Sequence, residues 1–293
     1  MTKYLFFFLL VFGLNYLNAQ PVEIQADYDA VGDCIFSANN NSKAPMYLHI
    51  NFADLQNTSF SEPLPYVKRL TPGFNSLFTL YRDLDADVPR FNYEIKSFRS
   101  DPMADVDLDF PYLIPFEPGR KVQVFDVENI DGFWGAKGLK SWSATGFKAK
   151  PGDIVYASRN GIIVEIAGAT RTGNSENWYN TWTNSVTVLQ PDGTLICYHN
   201  VVDKAEKLKV GEKIFTGQSL GEIASRSNSL IVLIYHDSLY AKGLSFVIPQ
   251  FVVAEGKKEI VNSSTEYSVA HPVDIRSLEM SKKERKKILG KKR

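Results

Sequence analysis

The chain has 293 residues, with 33 basic and 33 acidic side chains, 13% aromatics, 19 glycines and 14 prolines. That length accommodates two ordinary domains, and the glycine, proline and aromatic content points to a turn-rich β protein and excludes a disordered one. The charge is uneven: Ser281 to Arg293 carries eight basic residues and one acid, net +7, whereas Gln20 to Met280 carries 24 basic and 32 acidic residues, net −8; so acidic a body excludes nucleic acid as the main partner.

Residues 1–19 read as a secretory signal. Lys3 supplies the positive start, Tyr4 to Leu14 is an apolar run of 11 residues, and Asn18-Ala19 offers a small-residue exit. The run is too short for a comfortable span, and no later stretch reaches the roughly 18 apolar residues that a membrane helix needs. An exported chain is expected, in the periplasm, the cell envelope or outside the cell, with no transmembrane span once the signal is removed. The two cysteines, Cys34 and Cys197, either pair or stay as buried thiols in the apolar runs that hold them.

Residues 20–118 form the first expected domain. Short strand candidates (Met46 to Phe52, Phe74 to Tyr81, Phe91 to Phe98, Tyr112 to Phe116) alternate with Asn, Asp, Pro and Ser clusters. That spacing predicts a small antiparallel β-sandwich. His49 is read as a structural strand histidine that faces away from Tyr47. The acids from Asp101 to Asp109 lack the glycine and final glutamate of an EF-hand, so they are read as a solvated turn.

Residues 119–255 form the second. Lys121 to Val127 reads as its first strand, followed by a loop carrying Trp134 and Trp142. Gly168 to Asn184 is a polar loop with Trp178, Tyr179 and Trp182, and Gln190-Pro191-Asp192-Gly193-Thr194 is a hairpin turn. Within this domain an internal repeat stands out. Lys150, Gly152, Asp153, Val155, Tyr156 and Ala157 align with Lys209, Gly211, Glu212, Ile214, Phe215 and Thr216 at a constant offset of 59. Each copy is a turn glycine, an acid and a short β-prone stretch, which predicts two related strand–turn–strand units packed on one another. Residues 256–293 read as a C-terminal strand (Tyr267 to Ile275) and a short basic helix over Ile275 to Leu289.

Three segments in this order resemble the lysostaphin-type (LytM-like) zinc endopeptidases, whose domain is a duplicated hybrid β motif: Gly152…Val155-Tyr156-Ala157…Asn160-Gly161, Asp192-Gly193-Thr194…Tyr198-His199, and Gly211…Gly217-Gln218…Gly221. The resemblance implies a LytM-like β domain; together with the strand and helix readings above, the expected fold is mainly β, a β-sandwich-like N-terminal domain followed by that LytM-like domain and a short basic C-terminal helix. The resemblance covers Lys121 to Tyr235, and its matches are mostly turn glycines and core residues, which speak for architecture more than chemistry. A catalytic zinc needs three protein ligands and an open position. The resemblance implies a His and an Asp just before the first segment and the second His of a last-strand His-x-His as the ligands; the Asp falls on Gly146, the His-x-His falls on Ser229-Leu230-Ile231, and no Asp, Glu or His stands between Gly132 and Lys150. Only His199 is retained, in the position that assists the metal-bound water.

The resemblance with its ligands missing implies a non-catalytic, peptidase-like protein with no cofactor, binding a peptidoglycan peptide or a cell-wall hydrolase. The expected groove is lined by His199, Tyr198, Trp142, Trp178, Tyr179 and Trp182. The alternative is an active zinc endopeptidase cleaving cell-wall peptides through a relocated site drawn from His199, His236, Asp237, His271 and Asp274. No G-x-S-x-G elbow, phosphate loop or C-x-x-C motif offers a different chemistry.

Overall fold

The computed structural model describes residues 21–128, 141–168, 184–239 and 243–290; the signal-like segment lies outside them. The chain is mainly β, as expected.

The N-terminal strands are β1 (Val22–Tyr28), β2 (Cys34–Asn40), β3 (Met46–Gln56), β4 (Tyr66–Leu70), β5 (Gly73–Leu80) and β6 (Arg90–Phe98). They make two three-stranded antiparallel sheets, β1-β2-β5 and β4-β3-β6. Cys34, Phe36, Leu48, Ile50, Leu70 and Leu80 fill the space between them, with Phe36 stacked on Phe78 at 4.7 Å. The pleat of β3 decides its neighbours, because alternate side chains leave on opposite faces. Met46, Leu48, Ile50 and Phe52 enter this core. Tyr47 and His49 leave together on the other side, where His49 meets Phe98 edge-on at 6.4 Å, so His49 does not face away from Tyr47.

The second unit begins earlier than residue 119. β7 (Pro111–Leu113) pairs in parallel with a strand more than a hundred residues later, β19 (Gln250–Val252), and the Phe110, Tyr112, Ile114 and Phe116 side chains belong to the second core. Between them run β8 (Lys121–Asp126), β9 (Thr145–Lys148), β10 (Ile154–Tyr156), β11 (Gly161–Ala167), β12 (Ser185–Leu189), β13 (Leu195–His199), β14 (Val201–Val202), β15 (Lys213–Ile214), β16 (Ser219–Ile223), β17 (Ser229–Ser238) and β18 (Gly243–Phe246). The tail adds β20 (Lys258–Glu259), β21 (Glu266–Ser268), α1 (Val273–Arg276) and α2 (Lys282–Ile288). Nine strands form one sheet in the order β15-β11-β12-β13-β17-β9-β8-β21, with β18 beside β17. Because β21 completes this sheet, residues 266–268 belong to the domain and not to a separate tail. The expected strand over Tyr267 to Ile275 stops at Ser268, and Val273 to Arg276 turns helical behind Pro272. The expected helix over Ile275 to Leu289 is two helices, the second opened by a Ser281–Glu284 capping box.

The repeat is built by exchange. β10 of the first copy pairs with β16 of the second, and β15 of the second pairs with β11 of the first. The turn glycines close the exchange with matching bonds. Gly152 N–H donates to Ile223 O at 2.9 Å while Ile223 N–H donates to Asp153 O at 2.8 Å; Gly211 N–H donates to Ile163 O at 2.7 Å while Ile163 N–H donates to Glu212 O at 2.9 Å. Both glycines hold positive φ, +85° and +93°, which a side chain would strain. Val155 and Ile214, equivalent in the two copies, point into one core with Phe147, Tyr198 and Ile234.

Candidate functional site

Two positions where the sequence resemblance expects ligands, Gly146 and Ile231, lie side by side, and neither bears a ligand-type side chain. The sheet sets five neighbouring strands side by side, and their registers place Ser185 opposite His199, His199 opposite Ile231, Ile231 opposite Gly146, and Gly146 opposite Phe125. One transverse row therefore reads hydroxyl, imidazole, sec-butyl, hydrogen, phenyl. Gly146 is buried, and a Cβ built on it would lie 2.5 Å from the Phe125 ring. Phe125 thus occupies the space that a ligating side chain at position 146 would need. Ser229, two residues before Ile231, lies at the end of the same face, opposite exposed Lys148.

The surroundings of this row are apolar. Leu195, Cys197, Ile231, Leu233 and Tyr235 share one face of β13 and β17 with His199. Against them pack Ala44 and Tyr47, with Val67 and Phe98 beside them, all from the N-terminal domain. Polar bonds fix the same contact. Ser100 Oγ donates to Asp237 Oδ2 at 2.7 Å and accepts from Asp237 N–H at 2.6 Å, and Asp101 N–H donates to Gly193 O at 2.8 Å. This face of the sheet is covered by Ala44, Tyr47, Val67 and Phe98 of the N-terminal strands and turns.

His199 is accordingly 8% exposed, with Nε2 3.3 Å from Cys197 Sγ. Burial lowers its pKa to about 4 and pushes the Cys197 thiol up to about 12. A neutral imidazole beside a protonated thiol is a packed pair; no low-pKa thiolate is available as a nucleophile. Both cysteines are free and buried in different cores. The histidine has a measurable consequence. An unfolded imidazole titrates near pH 6.5, to order of magnitude. As pH falls from about 6.5 to about 4 the unfolded chain binds a proton that folded His199 refuses, so stability drops across that window, by about 3 kcal/mol in full. Urea unfolding at stepped pH should show a shallower acid loss in His199→Asn than in the parent; equal slopes would contradict this.

Of the other expected groove residues that are described, Trp142 packs against the apolar cluster on the His199 face and Tyr198 does not. Tyr198 alternates onto the opposite face, is wholly buried, and accepts a bond from Ser158 N–H at 2.8 Å through its hydroxyl oxygen. Trp142 is half-buried, donates to Val127 O at 2.9 Å and packs on Phe246 at 5.0 Å; it is pinned by its apolar area. Trp134, Trp178, Tyr179 and Trp182 lie outside the described residues. The alternative metal set is scattered. His236 sits on the far side of β17 from Tyr235 with Nδ1 2.8 Å from Asp237 O. His271 contacts Ile114 O at 3.0 Å and lies edge-on to Tyr156. Among the described residues no three His, Cys, Asp or Glu side chains come together as a metal site would require.

A polar centre not anticipated from the sequence lies in the second core. Arg159, 3% exposed, donates to Asp192 Oδ2 at 2.6 Å, to Tyr112 OH at 3.1 Å and twice to Glu279 Oε1, at 2.7 and 3.0 Å, with its guanidinium 3.8 Å above the Phe110 ring. Burial opposes its charge, but the Glu279 hydrogen bonds and the nearby anions hold its pKa above the ordinary arginine value. The centre ties the hairpin turn, β7 and the C-terminal segment together.

No protein-family model and no curated protein matches this chain. Solved structures similar to it include the catalytic domain of the antimicrobial peptidase lysostaphin from Staphylococcus simulans, at 19% identity over 45% of this chain and 88% of that one with a TM-score of 0.28. They include a putative glycyl-glycine endopeptidase lytM from Ruminococcus gnavus, at 17% identity over 47% and 55% with a TM-score of 0.30, so this chain spans about half that protein's length. They also include Helicobacter pylori Csd3, at 11% identity over 91% and 82% with a TM-score of 0.32. With identities and TM-scores this low, nothing about the site is carried from those structures to this chain.

Proposed function

We propose that this protein is an exported, non-catalytic relative of the lysostaphin-type peptidases that works by binding in the cell envelope. The single observation that carries the reading is the row Ser185–His199–Ile231–Gly146–Phe125. Two positions where the resemblance expects metal ligands, Gly146 and Ile231, are neighbours in this row, and neither carries a side chain able to hold a metal, which supports the reading. The segment Lys3 to Ala19 supports export.

Between the two expected partners, the geometry favours a cell-wall hydrolase over a peptide bound in the groove. An extended peptide would have to lie on the face that Ala44, Tyr47 and Phe98 cover, and displacing them would expose a large apolar surface to water. A protein partner needs no access to that face. The test is a release assay with purified cell wall. The chain alone should release no soluble fragments, and at an equimolar ratio it should change the rate at which a lysostaphin-type hydrolase from the same source releases them. Release by the chain alone, or an unchanged rate, would count against the proposal.

A further inference from the structure

We propose that the basic C-terminal helix α2 is a docking face for an anionic lipid surface. Lys282, Lys283, Arg285, Lys286 and Lys287 are all exposed on its two turns. The one acid of the helix, Glu284, is spent internally: it closes the capping box with Ser281 and pairs with Lys213 of β15 at 2.6 Å. Among the described residues no carboxylate lies within ion-pair distance of Lys282, Lys283, Lys286 or Lys287. The cations are therefore presented outward from a helix that the Lys213 contact and buried Met280 hold against the domain.

Two further observations select a lipid surface over a soluble polyanion. Val273 and Leu278, on the same C-terminal segment, are 62% and 48% exposed. Basic side chains and exposed apolar ones within one short segment supply the two components of an interfacial site, headgroup charge and shallow apolar contact; a soluble polyanion takes only the first. The remainder of the chain after the signal, Gln20 to Met280, carries net −8, so an anionic surface repels the body while attracting the helix, and the molecule approaches tail first. No helix among the described residues is long and apolar enough to cross a membrane. None of this depends on how the row at His199 is read.

Co-sedimentation with phosphatidylglycerol–phosphatidylcholine vesicles tests it, with pure phosphatidylcholine vesicles and soluble polyphosphate as the other arms. The full chain should bind the anionic vesicles, fail to bind the neutral ones, and release as salt is raised. Each neutralised lysine should weaken binding about fivefold, so Lys282→Gln/Lys283→Gln/Lys286→Gln/Lys287→Gln should lose at least about a hundredfold. Because those side chains are exposed, the variant should keep the parent's melting curve, and Val273→Ser/Leu278→Ser should weaken binding without changing its salt dependence. Equal binding to neutral vesicles, undiminished binding by the quadruple variant, or binding to polyphosphate without vesicle binding would each overturn the proposal.

Discussion

Arg159→Met is expected to lower the unfolding free energy by about 3–5 kcal/mol, the range for removing one partner of a buried ion pair. The substitution keeps much of the side chain's volume, so the loss comes from charge and not from a cavity. Asp192 and Glu279 would stay in the interior without the guanidinium that satisfies both, and Tyr112 would lose a donor. Neutralising the stranded acids should recover part of the loss. Arg159→Met/Asp192→Asn/Glu279→Gln should be more stable than Arg159→Met alone, a non-additivity typical of groups in one network. Urea unfolding measures all of these; a loss below about 1 kcal/mol for Arg159→Met would mean that the centre contributes little net stability.

Gly146→Asp, which places a carboxylate at the position where the sequence resemblance expects a metal-ligating aspartate, should destabilise the fold by about 3 kcal/mol or more. Overpacking contributes about 1–3 kcal/mol, and a buried unpaired carboxylate adds further cost. Gly146 has ordinary negative-φ strand geometry, so the Phe125 ring and not the backbone is the obstacle. Gly146→Ala isolates the steric part. In the Gly146→Asp background, Phe125→Ala should stabilise, although in the parent it should destabilise. Thermal melts of the four chains would show this reversal; additive losses would contradict the assignment of Phe125 as the group filling the site.

The duplication was legible because its signals are local. The glycine turns at 152 and 211 and the acids after them sit at a fixed offset, and positive φ explains why glycine is needed. That Gly146 and Ile231 carry no ligand-type side chain is equally legible in the sequence. What lies beside Gly146 was not, since the place of Phe125 there depends on a cross-strand register that no local pattern states. Arg159 escaped notice because its acidic partners lie 33 and 120 residues away along the chain. Tyr198 is next to His199 in the sequence, but the alternation of a strand turns it to the opposite face. The covering of the His199 face had no such signal. In Met46 to Phe52 (MYLHINF) one face carries Met, Leu, Ile and Phe and the other Tyr, His and Asn, the alternation of a strand with one solvated face, yet Tyr47 packs on the second domain. The early start of the second domain follows from β7 pairing with β19 across a long separation, which composition does not reveal.

The most direct test of the central claim, a scaffold kept with its metal site filled, is calorimetric zinc titration of the purified full chain. The filled row predicts no tight stoichiometric binding, the same isotherm for His199→Ala as for the parent, and no zinc-dependent release of cell-wall fragments. One zinc bound tightly per chain, lost in His199→Ala and accompanied by wall cleavage, would contradict it.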